Sequence, residues 1–507
     1  MRDHLALYIN GAPHTVRGRD ALLSLSDYVR QRLGLIGTKI VCSEGDCGAC
    51  TVLVGKPTKR KAESGKQNET NPTSEFSTTS RSPLSALRFT YLPIDSCIQF
   101  MFQLDGAHVV TVEGLRRDGS LNAVQQAMID CHGSQCGFCT PGFVMAMTGL
   151  RENCDQLAEP ELRTGLTGNL CRCTGYTPIV EAGLKSGEAE HERLNELYSP
   201  EPILADLQPR TNDAIRIECE SFGVQHVLYS PSTLEEALGF LTENPSALIV
   251  AGATDIGVRV NKSKQLPPII LDLNRIAELD NIRTENGALI AGARASWTAL
   301  LNACSLATPE FARILSIFGA PQIRHVGTIA GNIANASPIA DSLPFLFVME
   351  AMLVLASKSG RREVNINDFY YGYKKFDLKP GELIAEVRIP LPTDADLLRL
   401  YKVSRRRDLD ISSFTAAVRI QLDGDLISHA AIALGAVGPV VLRARRTEQF
   451  LVGQPFTELT MQLAGEVAVE EITPIDDVRG AADYRRQLTR NILHKLYHQT
   501  QADLAPA

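Results

Sequence analysis

Residues 4–10 alternate in polarity, with Leu5, Leu7 and Ile9 on one face of a strand. Asn10-Gly11 then marks a turn and Thr15-Val16 opens a second strand, so the chain begins with a predicted β-hairpin. The period changes at Leu22–Leu33, where Leu22, Leu23, Leu25, Tyr28, Val29 and Leu33 fall on one side of a helix. Thr51–Val54 and Arg88–Leu92 are strand-like. Helical spacing returns with Leu121, Val124, Met128 and Ile129, and again with Phe143, Val144, Met147 and Leu150. Farther along, strand-like runs at 248–251 and 269–271 alternate with helical stretches at 234–241 and 298–303. This predicts an α/β or α+β domain pair closed by a charged helix near Tyr484–His498.

Two stretches lose the pattern. Residues 55–83 hold ten Ser/Thr, four Lys and three Pro, with Phe76 the only large apolar side chain. Such a segment cannot bury enough apolar area to offset its ordering entropy, so 55–85 reads as a disordered insert between two strands. Residues 187–221 are charged, Pro-containing and weakly periodic, the composition of a linker.

A chain of 507 residues holds three or four domains. The net charge of -7 leaves no basic field for a nucleic acid backbone. No apolar run reaches the ~18 residues of a membrane span, and the N-terminus lacks the features of a secretory signal. These features predict a cytoplasmic protein that binds neither nucleic acid nor membrane.

In a reducing compartment the twelve cysteines are better metal or redox candidates than disulfides. Ten of them precede residue 175. Cys42-x4-Cys47-x2-Cys50 with distant Cys97 has the plant-type ferredoxin spacing for a [2Fe-2S] cluster. Four thiolates must converge from one tight loop, and Gly45 and Gly48 supply the backbone freedom for it. Structural zinc usually takes two short pairs, which this is not. The second set, Cys136-Gly-Phe-Cys139 with Cys171-Arg-Cys173, suits zinc almost as well as iron and sulfur. Each pair is expected where a helix starts, and a helix N-terminus favours a thiolate. Cys131-x4-Cys136-x2-Cys139 also repeats the plant-type spacing, but Cys131 falls at the end of a helical pattern and reads as a core thiol.

The motifs Glu44-Gly45-Asp46-Cys47-Gly48-Ala49-Cys50, Pro93-Ile94-Asp95-Ser96-Cys97, Gln135-Cys136-Gly137-Phe138-Cys139-Thr140-Pro141-Gly142 and Gly168-Asn169-Leu170-Cys171-Arg172-Cys173-Thr174-Gly175-Tyr176 resemble those of the xanthine dehydrogenase/oxidase family of molybdenum hydroxylases. The resemblance covers almost the whole chain outside 55–85 and the linker. It implies a multidomain α+β protein. A β-grasp [2Fe-2S] domain would span 1–108 and a four-helix [2Fe-2S] domain 109–186. A linker at 187–221 would lead to a non-Rossmann FAD-binding domain at 222–395 and a C-terminal α/β subdomain at 396–507. It further implies that Cys42, Cys47, Cys50 and Cys97 hold one cluster and Cys136, Cys139, Cys171 and Cys173 the other. Gln135 would touch the molybdenum cofactor of a partner.

The flavin half is less explicit. Residues 248–256 read as a buried strand breaking at Gly252, a turn whose N–H groups could approach a pyrophosphate. Gly327-Thr328-Ile329-Ala330-Gly331-Asn332 and Ser337–Asp341 repeat the idea. Neither is a GxGxxG fingerprint, so a Rossmann reading fails. By the resemblance, FAD contacts fall on Leu248, Ile249, Val250, Ala251, Gly252, Ala253, Thr254, Asp255, Ile256, Phe318, Thr328, Gly331, Asn332, Asp341, Ile384 and Lys402, with Tyr373 beside the nicotinamide. Ala253 and Asn335 depart from some relatives. The charged run Arg405–Asp410 reads as a solvated loop, or, as the family implies, one near the flavin.

No stretch resembles the molybdenum-cofactor domains. The resemblance therefore implies the small electron-transfer subunit of a split xanthine dehydrogenase, paired with a large molybdopterin subunit as a heterotetramer of two small and two large chains. Electrons from hypoxanthine or xanthine oxidation would reach FAD and then NAD. Alternatives are the same subunit acting for another N-heterocycle or aldehyde, a stand-alone flavin/iron–sulfur NADH reductase, and a zinc-stabilised interaction protein. No catalytic nucleophile set is legible.

Overall fold

The computed structural model describes residues 1–59, 87–116, 118–154, 157–221 and 223–504. These fall into two units, Met1–Val227 and Leu228–Ala507.

In the first unit the expected hairpin is present as β1 (His4–Ile9) and β2 (Ala12–Arg17), with Ile9 opposite Ala12. Asn10 and Gly11 both have positive φ, 49° and 79°, the backbone a two-residue hairpin turn requires. Leu5, Leu7 and Ile9 are buried as predicted, each worth about 1.5–3 kcal/mol. Ala6 and Tyr8 are buried on the opposite face as well, because helices cover it. The helix α1 (Leu25–Gln31) starts at Ser24, whose hydroxyl accepts from Asp27 N. With β3 (Thr51–Lys59), β4 (Leu87–Asp95) and β5 (His108–Val110) the sheet order is β2-β1-β5-β3-β4. The β1–β5 pair is parallel, which completes a β-grasp.

The strand β3 runs farther than its apolar residues do. Gly55, Lys56, Pro57, Thr58 and Lys59 pair with Tyr91, Thr90, Phe89, Arg88 and Leu87. Residues 55–59 are thus ladder, because an edge hairpin is held by backbone hydrogen bonds and needs no apolar side chains. The rest of the expected insert, 60–85, lies outside the described residues.

Four helices follow: α2 (Ala123–Asp130), α3 (Thr140–Asn153), α4 (Glu159–Gly165) and α5 (Thr177–Glu188). Val124, Met128, Phe143, Met147, Leu162 and Ile179 share one core. Residues 187–221 are more ordered than a linker. They carry α6 (Pro200–Arg210), whose Ile203, Leu204 and Leu207 enter the same core, and the Tyr8 hydroxyl donates to Asp206 at 2.9 Å. Only three apolar positions in a charged stretch carry the helix, too few to reveal its period.

The second unit begins with α7 (Leu234–Glu243) and the parallel strands β6 (Leu248–Val250) and β7 (Ile269–Asp272), with α8 (Ile256–Ser263) between them. A five-stranded antiparallel sheet follows in the order Ile282–Glu285, Ala288–Gly292, Leu383–Pro390, Met352–Ser357, Gly360–Asn365. The last layer is an antiparallel sheet of β8 (Leu397–Val403), β9 (Phe414–Asp423), β10 (Leu426–Gly435) and β11 (Leu442–Arg443). Its core joins Phe414, Val418, Ile432 and Leu434 to the helices α9 (Glu458–Val469) and α10 (Ala482–Leu504). Among the described residues no helix is long and apolar enough to cross a membrane.

Candidate cofactor sites

The loop between α1 and β3 brings Cys42, Cys47 and Cys50 together, and the turn after β4 adds Cys97. Hydrogen bonds link Cys42 to Cys47 and Cys97, and Cys97 to Cys50. The Cys42 thiol is held far below its ordinary range by Cys47, then Cys97, and both partners are pushed up in return. Sulfurs this close resist ionising together unless cations sit among them. Backbone N–H groups of Glu44 and Asp46 already point at Cys42, the former at 3.4 Å. Gly45 and Gly48 take φ of 71° and 64°, which confirms why the wrap needs them. Cys50 and Cys97 are buried, and the Cys50 thiol donates to buried Asp95 at 3.6 Å. This geometry fits a [2Fe-2S] cluster.

The second set converges in the same way. Cys173 lies 3.6 Å from Cys136, and Cys139 is hydrogen-bonded to Cys171. Burial, then Cys171, pushes the Cys139 thiol up to about 12. Cys139 is the N-cap of α3, as expected. Cys173 is not at a helix start: α5 opens at Thr177 behind Tyr176, whose φ of 72° interrupts the chain. The Tyr176 hydroxyl accepts from Cys171 N instead, at 3.0 Å. Cys131 caps the C-terminus of α2 and packs against the core, so its plant-type spacing has no structural counterpart. Whereas the first set is largely covered, Cys136, Cys173 and Gln135 are exposed.

The two loops touch. Leu170 N donates to Cys47 O at 3.0 Å, and Asn169 Nδ2 donates to Gly48 O at 3.0 Å. A Cβ on Gly48 would lie 2.3 Å from Gly168 O, and one on Gly142 would lie 2.1 Å from Gly48 O. Only glycine lets the first turn of α3 and the 168–170 loop close on the first cluster loop. Asn169 lies inside the Gly168–Tyr176 motif, yet its role shows only in the fold.

In the second unit the strand β6 ends in a turn at 251–255, held by Asn274 Nδ2 donating to Ala251 O at 2.8 Å. Ala253 has φ 61°. A Cβ on Gly252 would lie 2.2 Å from Val326 O and 3.0 Å from Gly327 Cα, so the two glycine turns lie back to back. Thr328 caps the helix Ile329–Asn335 by accepting from Gly331 N at 3.2 Å. Asn332 accepts from Ser342 at 2.7 Å, next to Asp341. Asp341 accepts from Lys402 at 2.7 Å and from Ser412 at 2.5 Å, and Lys402 also donates to Asp410 O at 2.8 Å. The Lys402 and Asp341 side chains are 1% and 8% exposed. In the run Arg405–Asp410, Arg405 and Arg406 are exposed as a solvated loop requires, while its end closes on Lys402.

Phe318 meets Trp297 edge-on at 5.1 Å, and Phe318 O accepts from Arg324. Ile384 is buried in its strand. Tyr373 is 62% exposed, beside Lys374, which donates to Asn335 Oδ1 at 2.7 Å. The structure thus draws the predicted residues 251–255, 328–332, 341 and 402 into one linked run. Asn274 and Ser412 were not predicted, being single polar residues without a local pattern, whereas Asp410 ends the charged run singled out from the sequence. A backbone cradle ending in a buried, hydrogen-bonded ion pair fits a dinucleotide such as FAD.

Sequence models of known families match the chain in order. Residues 7–74 match a 2Fe-2S iron-sulfur cluster binding domain and 111–184 a [2Fe-2S] binding domain. Residues 220–392 match the FAD binding domain in molybdopterin dehydrogenase, and 399–500 the CO dehydrogenase flavoprotein C-terminal domain. Xanthine dehydrogenase of Drosophila subobscura is 30% identical over 99% of this chain and 40% of its own length. The chain thus spans about two fifths of the curated relatives it matches. Among solved structures, a chain of carbon monoxide dehydrogenase from Hydrogenophaga pseudoflava is 29% identical with a TM-score of 0.52, covering 54% of this chain and 96% of that one. A chain of quinoline 2-oxidoreductase from Pseudomonas putida 86 is 30% identical with a TM-score of 0.50, covering 53% and 94%. Iron–sulfur domains, flavin domain and their order along the chain together place this protein in the xanthine dehydrogenase family of molybdenum hydroxylases.

Proposed function

We propose that this chain is the electron-transfer subunit of an NAD-dependent xanthine dehydrogenase, working with a large molybdopterin-bearing partner that oxidises hypoxanthine and xanthine. The observation that carries the reading is the joined pair of four-cysteine sites, one covered and one open, on the same chain as the flavin domain. Clusters held by the two cysteine sets would supply one-electron transfer, and FAD held in the second unit would supply the exchange between single electrons and the hydride chemistry of NAD. Cys136, Cys139, Cys171 and Cys173 hold the entry site. Its exposure, with Gln135 and the exposed rings of Phe138 and Tyr176, suits a partner's docking face. Asn169 and Leu170 fix its loop to that of Cys42, Cys47, Cys50 and Cys97. In the flavin unit the backbone at 248–256, with Thr328, Gly331 and Asn332, lines the nucleotide. Lys402 and Asp341 set the local charge, Phe318 and Ile384 supply apolar contact, and Tyr373 offers an accessible aromatic face for nicotinamide.

The purine assignment is drawn from the xanthine dehydrogenase relative. The xanthine dehydrogenase relative follows this chain through both cluster domains and the flavin domain, whereas each solved relative covers about half of it. The test reconstitutes the purified chain with iron, sulfide and FAD. It should pass electrons from NADH to a dye and leave xanthine untouched until the partner is added. Oxidation of xanthine by the chain alone would refute the division of labour. Bound FAD that ignores NADH would refute the NAD assignment.

A further inference from the structure

The helices α9 and α10 run antiparallel and very close: a Cβ on Gly465 would lie 2.1 Å from Arg490 O. At one end of this pair, far along the chain from the cysteines and from the flavin segments, three donor atoms meet. His494 and His498 are one helical turn apart on α10, the i, i+4 spacing that puts two imidazoles on one face. Their Nε2 atoms are 2.8 Å apart. Glu458, the first residue of α9, brings Oε1 to 2.8 Å from His494 Nε2 and 3.3 Å from His498 Nε2. All three atoms lie within 4.8 Å of one another. Gln462 adds a side-chain amide 3.2 Å from His494 Nε2.

Two neutral imidazoles that present Nε2 lone pairs to each other repel, and a carboxylate facing both adds negative charge. Such a group is satisfied by a shared proton or by a metal cation at the centre. Two imidazoles and one carboxylate are the donor set zinc uses where it keeps a position open to solvent. Nitrogen donors select zinc, nickel or copper over magnesium and calcium, which prefer oxygen alone.

We propose that Glu458, His494 and His498 form a binding site for a divalent transition-metal ion, with zinc as the reference case, which clamps α9 to α10. The site is separate from the redox groups and stabilises the C-terminal layer by binding only the folded arrangement. Its exposure leaves the remaining coordination positions to water, so exchange with the medium is open.

The test uses the full chain with its clusters and FAD in place, so that the eight cluster thiolates are occupied. Zinc chloride is titrated calorimetrically, and thermal unfolding is followed with and without zinc. One saturable equivalent and a zinc-dependent rise in Tm are expected, both unaffected by excess magnesium. His494→Ala/His498→Ala should abolish both, and Glu458→Gln should weaken binding at least tenfold. Alanine is the best helix former, so the double variant should keep a near wild-type Tm without zinc, which shows that the loss is of ligands rather than of fold. Absence of a saturable equivalent in the wild type would overturn the proposal. So would undiminished binding in the double variant, which would assign the zinc to the remaining thiols such as Cys131 or Cys219.

Discussion

The two units hold redox groups by opposite means. In the first, the proposed holders are eight cysteine side chains, and the backbone only has to bend tightly enough to aim them. In the second, glycine turns at Gly252 and Gly327 present main chain, and side chains act mostly on one another, as in Lys402, Asp341 and Ser412. Side-chain ligands are specific and individually indispensable. A backbone cradle spreads its contacts, so single changes weaken it by degrees unless they strike a buried charge or a close approach.

The largest expected effect lies in the cysteines. Cys136→Ser or Cys171→Ser should remove one of two reduced-cluster signals in electron paramagnetic resonance, while Cys131→Ser should leave both. Loss of a signal on replacing Cys131 would mean that its plant-type spacing is the real one.

Next in size is the buried ion pair of the flavin unit. Asp341→Ala leaves Lys402 buried without its carboxylate, a change that costs about 3–5 kcal/mol, so FAD occupancy should fall sharply. Tyr373→Ala, at an exposed ring, should spare bound FAD and lower NADH-dependent dye reduction. Measuring flavin content and dye reduction on the same samples separates the two; equal losses would erase the distinction between anchor and docking face.

A third pair compares close approaches. Gly48→Ala combines a positive φ with a Cβ 2.3 Å from Gly168 O, whereas Gly252→Ala meets Val326 O at 2.2 Å. Overpacking costs about 1–3 kcal/mol. The first should reduce cluster content, and the second should reduce FAD retention with both cluster signals intact.

The smallest effect is a pH slope. Burial pushes His325 down to about 3, with Arg324 adding to it, and pushes His108 in the first unit down to about 4. Both are neutral in the fold and bind a proton near pH 6.5 when unfolded. Their contribution is present above about pH 6.5 and is lost as pH falls, at no more than about 1.4 kcal/mol per pH unit each. Denaturant titrations from pH 7 to 5 should show a shallower acid slope in His325→Gln and in His108→Gln than in the wild type. Below about pH 4 only His325 continues to contribute.

The sequence by itself determined what depends on local order. The hairpin at Asn10-Gly11, the ferredoxin loop, the helix opened by Cys139 and the short cysteine clusters at 42–50, 136–139 and 171–173 follow from residue type and short spacing, because a turn or a group of ligands is specified within a few residues. The family resemblance located the flavin segments. Only the tertiary structure decided how they join, since Asp341, Lys402 and Ser412 are brought together across 61 and 71 residues, and nothing local marks the pair. It also moved the start of α5 to Thr177, extended β3 into the polar stretch to Lys59, and put Ile203, Leu204 and Leu207 of the supposed linker into a core. For β3 and for the supposed linker the deciding energy is backbone pairing or packing with a distant partner, which composition and periodicity do not encode.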